Sequence, residues 1–568
     1  MRFKQPLCIV ALLALLLPFL AAAQSVVTGG ITGAVTDQSG AVIVGAKVTL
    51  TSATSSETQT VTSSSSGVYG FSLLKPGRYN LVITQQGFKT SATGVDVVLG
   101  QIIAVNVKLE TGSVSTTVEV TTQAAQLQTE DANITTTFDA RQMQETPNPG
   151  GDVTYIANSA PGIVANNSTV GGYGNFSAFG LPADANLFTV NGNDYNDPFL
   201  NLNNTGASNL LLGGNEMQEV AIVANGYTGQ YGRQAGAQVD YSTKSGGNAY
   251  HGDMVYYWTG RELTANDPIN KLFGGTRPFE NNNQWAAALG GPIKKDKAFF
   301  YVNTEGIRYI FGSVHDVTLM TPAFQSYVLG NVPQDPATQG FYTNAFGLYN
   351  NSLGIAKAVP NLGTAYIAPV PPSPGNPGSP GAPNAPAGSC IGMAYNPLTN
   401  LLSDPISGAV LPAALQPTNA DGSGGGGCTE TYTQSVSNGN KEWLLSGRVD
   451  YSFSDTDKIF GRVKFDRGLQ PTYTDSINPA FNDSSNQPQD EGQLNYTHLF
   501  SPNVVNNFIG SVLYYAAIFG STTPGPALAL FPGNLAFTDG SGTTALGTGS
   551  GNPGGFARAR GRGSRRQG

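Results

Sequence analysis

A single apolar run, residues 7–20, stands at the start of the chain, and no later stretch of 18 apolar residues follows it. If the mature protein enters a membrane, it therefore does so as a closed β-barrel, because lipid offers no water to satisfy an open sheet edge. The run follows Arg2 and Lys4 and ends at Ala21-Ala22-Ala23. A positive start, a short apolar core and small residues mark residues 1–23 as a secretory signal peptide, cleaved between Ala23 and Gln24. The run is too short for an anchor helix. Cys8 precedes the apolar core, which argues against a lipoprotein signal.

Composition agrees with an exported, strand-rich protein. Of 568 residues 12% are charged, 72 are glycine and 10% are aromatic. Charged helical cytosolic enzymes do not look like this. A formal charge of -8 speaks against a nucleic-acid partner, whose phosphates need Lys and Arg. Once Cys8 is removed, Cys390 and Cys428 remain, both in a Pro/Gly-rich loop. An oxidising compartment favours a disulfide between them over two free thiols.

Residues 26–110 hold short β-branched runs at 33–37, 45–50, 70–73 and 79–83, broken at Ser39-Gly40, Ser66-Gly67 and Pro76-Gly77. Short strands at this spacing predict a β-sandwich. The pattern Gly33-x-Val35-x-Asp37-x-x-Gly40, Gly45-Ala46-x-Val48-x-Leu50, Gly67-x-Tyr69-x-Phe71, Leu74-x-Pro76-Gly77-x-Tyr79 and Gly87-Phe88 resembles the carboxypeptidase regulatory-like domain. The resemblance implies no peptidase. His251, His315 and His498 lack the His-x-x-Glu spacing of a zinc site. Asp37 is read as a turn carboxylate.

Residues 111–247 turn to mixed short segments rich in Asn and Gly. Ala160-Pro161-Gly162, Leu187-Phe188-Thr189-Val190-Asn191-Gly192 and Glu219-Val220-Ala221-Ile222-Val223 resemble the plug domain of TonB-dependent receptors. Tyr231-Gly232-Arg233-x-x-Gly236-Ala237-Gln238-Val239, then Thr243-Lys244-Ser245-Gly246 and His251-Gly252, is similar to the plug-to-barrel junction of the Oar-like subgroup. The subgroup shows Asp-Gly where this chain has Asn191-Gly192; Asn also tolerates the left-handed conformation such a turn needs, so a turn is expected and a carboxylate ligand is not.

Residues 248–555 read as part of an outer-membrane barrel. Met254-Val255-Tyr256-Tyr257-Trp258 is aromatic, and residues 283–290 run through the turn Gly291-Pro292-Ile293-Lys294-Lys295-Asp296-Lys297 into 298–303. Residues 444–453 and 459–466 alternate residue by residue, with Arg448, Asp450, Arg462, Lys464 and Asp466 expected to face a wet lumen. Alternation also suits a soluble sandwich strand; aromatics recurring at strand ends favour the barrel. The stretch 321–440, with its Pro-rich run 369–386, is expected to be a long extracellular loop.

The expected fold is mainly β: an N-terminal β-sandwich, an α+β plug, and the first strands of an antiparallel transmembrane β-barrel. About seven strand candidates fall short of the roughly 22 of a plugged transporter. The basic tail 556–568 lacks the terminal aromatic strand of outer-membrane barrels and resembles an RGG tail only in composition. The chain is therefore read as an incomplete or frame-shifted product.

No His-Glu-x-x-His, phosphate-binding or nucleophile-elbow motif is present. The cluster Asn193-Asp194-Tyr195-Asn196-Asp197 lacks calcium-loop spacing and is read as a plug turn. No enzyme, cofactor or metal is expected. The resemblance implies a transporter whose partners are outer-membrane lipid, an oligosaccharide or peptide substrate, and periplasmic TonB with its inner-membrane motor. TonB would pair with an extended segment, for which Ser115, Thr116, Thr117, Val118, Glu119, Val120 and Thr121 are the candidates, the plain alternative being a strand of plug or sandwich. The rival classes are a surface adhesin or carbohydrate-binding protein built on the sandwich, and a non-transporting barrel.

Overall fold

The computed structural model describes residues 28–55, 57–112, 117–119, 134–146, 151–165, 175–225, 232–266, 268, 271, 277, 279–360, 394–396, 401–403, 408–415, 428–501, 504–521, 523–532, 534–538 and 543–547. Ala23, Gln24, Cys390 and the tail 556–568 lie outside them.

Two sheets face each other in the N-terminal unit. One orders Val68–Leu74, Gly29–Asp37 and Ile102–Ala104, with Val107–Leu109 also paired to Gly29–Asp37. The other orders Thr58–Thr62, Lys47–Ser52, Gly77–Thr84, Thr90–Val97 and Thr117–Glu119. Period-2 alternation places Val48, Leu50, Phe71, Leu81 and Ile83 between the sheets, each under 4% exposed. Gly33 has no room for a side chain, since a Cβ there would overlap the Val105 carbonyl. The turn after the first strand is held by Asp37, whose Oδ1 accepts from the Ser39 hydroxyl at 2.7 Å and from the amides of Ser39 and Ala41 at 2.8 and 2.9 Å. The Ser39 hydroxyl, then the Ala41 amide, hold its carboxyl below the usual range. Thus Asp37 is a turn residue.

The next unit is a mixed five-stranded sheet: Ile134–Asp139, Met217–Asn225, Gln238–Thr243, Leu187–Val190 and Asn193–Asp194. Helix Ala140–Glu145 begins at Asp139, which forms a capping box with Gln142. Asn191 and Gly192 both take positive φ, 50° and 78°, so the turn that the sequence spells as Asn-Gly is left-handed.

Seven long strands then form an antiparallel meander: His251–Gly260, Glu280–Lys294, Ala298–Met320, Thr429–Ser452, Asp457–Tyr473, Gln489–Ser501 and Val504–Tyr515. Turns 295–297 and 453–456 are short, only two residues separate the last two strands, and connections 261–279, 321–428 and 474–488 are long. Short inner turns opposite long outer loops orient a bacterial barrel, with the short turns on the periplasmic side. The sandwich meets this short-turn end. Asn248 donates to the Ser55 carbonyl at 2.6 Å and to Asp296 in the first turn at 2.6 Å. The sandwich therefore lies at the short-turn end of the barrel. No described helix is long and apolar enough to cross a membrane, which says nothing of the strands.

The third and fourth strands have 23 and 24 residues, about twice what crosses a bilayer. Their outer halves carry a cap that includes two helices, within the stretch 321–440 expected to be a long extracellular loop. Helices Pro322–Asn331 and Pro336–Asn350 pack Phe324, Phe346 and Tyr349 with Leu319, Tyr432 and Phe481. Cys428 is buried in the same cluster and is disulfide-bonded.

Candidate functional site

Strand alternation decides what the barrel presents to each side. Along Lys441–Asp450 every second side chain is buried: Glu442, Leu444, Ser446, Arg448 and Asp450 face inward, while Trp443, Leu445 and Val449 are exposed outward. The fifth and sixth strands continue the rule, with Arg462, Lys464, Asp466, Gln489, Glu491 and Gln493 inside and Val463, Phe465 and Leu494 outside. An apolar outer face and a polar inner face are what lipid on one side and polar contents on the other require.

The inner face is not wet, contrary to the sequence expectation. Arg462 and Lys464 are each 3% exposed and Asp466 is 1% exposed, because the plug sheet fills the lumen. Each buried charge then needs a partner. Arg462 donates through its two Nη atoms to Glu216 of the plug and to Glu491 of the wall, both at 2.7 Å. Lys464 Nζ donates to the Tyr195 hydroxyl at 2.7 Å and pairs with Asp466 at 3.3 Å. Two wall carboxylates hold plug backbone directly. Glu305 accepts from the amides of Gly213 and Asn215, both at 2.7 Å, and Glu442 accepts from the Ser208 amide at 2.5 Å. A Cβ at Gly206 would overlap the Glu442 carboxylate, so the plug loop can approach only as glycine.

The Asn191-Gly192 turn closes this network on the periplasmic side. Arg448 chelates Asp450 at 2.9 Å through both Nε and Nη2, and its Nη1 donates to Thr243 Oγ1 at 2.9 Å. Thr243 is in turn bonded to Asn191, whose amide donates to it at 3.0 Å, and the Asn191 carbonyl accepts from Gln493 at 3.0 Å. The Asn191 side chain also accepts from the Thr243 backbone amide through Oδ1 at 3.0 Å, so it both donates and accepts here, a role an ionised carboxylate lacks. The 193–197 cluster is likewise consumed by structure. Asn196 accepts from the Phe188 amide, Asp197 from the amides of Phe199 and Leu200, and Asp194 pairs with Arg233. No group of three metal-ligating side chains occurs among the described residues.

Three carboxyls inside the plug sit where burial opposes ionisation. Asp152 and Asp240 are pushed up to about 6, and Glu219 up to about 7, in each case chiefly by desolvation. Glu219 also accepts from the Leu99 amide of the sandwich at 2.9 Å. Lys75–Asp450 at 2.8 Å and Glu57–Lys458 tie the sandwich to the barrel rim.

Of the candidate coupling segment, Thr117, Val118 and Glu119 form a strand parallel to Thr90–Ala92 of the sandwich. Ser115, Thr116, Val120 and Thr121 lie outside the described residues. Alternation marked Arg448, Asp450, Arg462, Lys464 and Asp466 as inward-facing; nothing in it named Glu216, Tyr195 or Thr243 as their partners.

The chain matches the carboxypeptidase regulatory-like domain over residues 30–110. It is 30% identical over 293 residues to the TonB-dependent transporter Oar of Myxococcus xanthus, a match covering 49% of this chain. The chain spans about a quarter, 26%, of that relative's length. Among solved structures, the outer membrane transporter YddB of Escherichia coli aligns with TM-score 0.40 at 9% identity, over 73% of this chain and 43% of the other. The siderophore receptor PirA of Acinetobacter baumannii aligns with TM-score 0.31 at 11% identity, over 72% of this chain and 46% of the other. Over residues 242–566, more than half its length, the chain matches the outer membrane beta barrel domain; it belongs to that family, and its place is the Gram-negative outer membrane.

Proposed function

We propose that the chain is the plug-bearing part of an active importer, in which a periplasmic TonB protein supplies the force that displaces the plug. One observation carries this reading: the plug is seated by buried, directional, polar contacts centred on Arg462, Glu216 and Glu491. Such groups are solvated again when they part, unlike the smaller apolar contact of Leu210 and Leu212 of the plug with Ile307 and Leu444 of the wall. Separation still carries a barrier, because every partner must let go, and an external pull is a fitting source of work. Similarity to the Myxococcus xanthus transporter supports the same reading.

Thr117–Glu119 is the proposed coupling element within 115–121, since an extended strand at a sheet edge is what added-strand pairing needs. Deleting 113–121 from the protein in its native host is expected to abolish uptake and leave substrate binding at the cell surface intact. Unchanged uptake would remove the segment from the mechanism. Growth of a deletion strain on oligosaccharide, peptide and metal-chelate sources identifies the cargo.

A further inference from the structure

We infer that the periplasmic sandwich is a bolt across the exit of the plug, so that the plug moves only after the sandwich has been released. The inference rests on the importer reading and adds the order of events. Three sets of contacts carry it.

The first is a continuous polar relay. Sandwich Lys75 holds wall Asp450, Asp450 holds Arg448, Arg448 donates to plug Thr243, and Thr243 is bonded to Asn191 in the left-handed turn. Docking of the sandwich therefore fixes the side chain that fixes the turn. The second is the direct bond from Leu99 to buried Glu219 on the plug strand Met217–Asn225. The third is the clamp at the junction, where Asn248 reaches the Ser55 carbonyl and Gly247 abuts Thr54.

These contacts enclose a cavity of about 180 Å³ where sandwich, plug and wall meet. Its lining includes Ser55 and Arg78 of the sandwich, Gln218 and Ser242 of the plug, and Asn495 and Thr497 of the wall. The lining is mixed, with Leu73, Phe299, Ile459 and Phe460 beside these polar groups. Leu73, beside Lys75 on the cavity wall, is held at φ 54°, a left-handed conformation uncommon for a branched side chain. The rim ion pairs are partly exposed on the sandwich side, Lys75 by 47% and Glu57 by 27%, against a buried Asp450 and a Lys458 that is 25% exposed. The bolt is thus closed by a few separate polar bonds and opens when pulled. Thr117–Glu119 is attached to the sandwich sheet, so a pull on it loads the sandwich before the plug.

Thiol labelling tests this in isolated outer membranes carrying the full chain. A cysteine replaces Gln218 on the plug side of the cavity, a membrane-impermeant maleimide is the probe, and the chain without that cysteine sets the background. Glu57→Lys, which opposes Lys458, is expected to raise the labelling rate about tenfold. Glu57→Lys with Lys458→Glu is expected to return it to the parental rate. Thr54→Cys with Gly247→Cys places a Cβ at 247 within 3.2 Å of the Thr54 side chain, within disulfide reach, and oxidation is expected to push labelling below the parental rate. Equal labelling in the repelled, swapped and oxidised proteins overturns the bolt. Because the assay reads neither uptake nor TonB, that result leaves the importer reading standing; uptake measurements in the native host decide it.

Discussion

Ile31, Val48, Leu50, Phe71, Leu81 and Ile83 fill the inside of the sandwich. The surface between plug and wall is mostly polar, Glu216, Ser208, Asn215 and Thr243 facing Arg462, Glu442, Glu305 and Arg448, with one apolar contact of Leu210 and Leu212 against Ile307 and Leu444. Both surfaces exclude water, yet their chemistry differs. Apolar burial is non-directional and is lost whenever the surfaces part. Polar burial holds only in one geometry and is recovered in water on separation. The sandwich is built to stay folded, and the plug is built to be seated and unseated.

The sharpest way to break this comparison is at Arg462. Arg462→Met leaves Glu216 and Glu491 buried without their cation and is expected to loosen the plug by about 3–5 kcal/mol, read as faster hydrogen exchange along the plug strands. Replacing all three together, Glu216→Leu, Arg462→Met and Glu491→Leu, is expected to restore protection while uptake stays lost. Restored uptake would show that polarity of the seat is not needed for its release.

Leu50→Ala tests the other side. It is expected to cost about 2–5 kcal/mol, confined to the sandwich and visible there as lost exchange protection, with plug protection unchanged. Loss at both places would mean that the two units share one cooperative core.

Between them lies Glu219, with its carboxyl at about 7 against an ordinary 4.5. The folded state keeps its proton to higher pH than the unfolded state does. The stabilisation is therefore full below about 4.5 and is lost as pH rises through 7. Glu219→Gln is expected to flatten the fall in urea resistance between pH 4.5 and 7, by at most about 3 kcal/mol. Asp152 and Asp240, raised to about 6, leave a residual slope of the same sign.

Asp37 gives the smallest effect and the opposite sign. Its carboxyl is lowered by the Ser39 hydroxyl and the Ala41 amide, so its contribution is present above the ordinary carboxylate range and fades on acidification. Asp37→Ala is expected to lower the sandwich melting temperature slightly at pH 7 and not at pH 3.

How much of this was legible depends on the range of the interaction. Period-2 alternation at 444–453 and 459–466 showed which side chains turn inward, because strand geometry alone decides that. Asn191-Gly192 announced a left-handed turn for a similarly local reason. The cap was missed although Thr321-Pro322 and Asp335-Pro336 are helix-start signals, a capping side chain before proline at the first helical position; both helices begin there. Proline and glycine further along drew attention to irregular backbone instead.

The sequence by itself determined the strand-rich class, a hairpin within Gly290–Lys297 whose turn the structure narrows to 295–297, the facing of the barrel strands at 444–453 and 459–466, and the β-sandwich at 26–110, all of which follow from patterns a few residues long. The tertiary structure decided that the lumen is dry, that Arg462 is shared by Glu216 and Glu491, and that Lys75 reaches the Asn191 turn through Asp450, Arg448 and Thr243. Apart from Arg448 and Asp450, these partners stand tens to hundreds of residues apart, and charge alone does not say which opposite charge a buried side chain will meet.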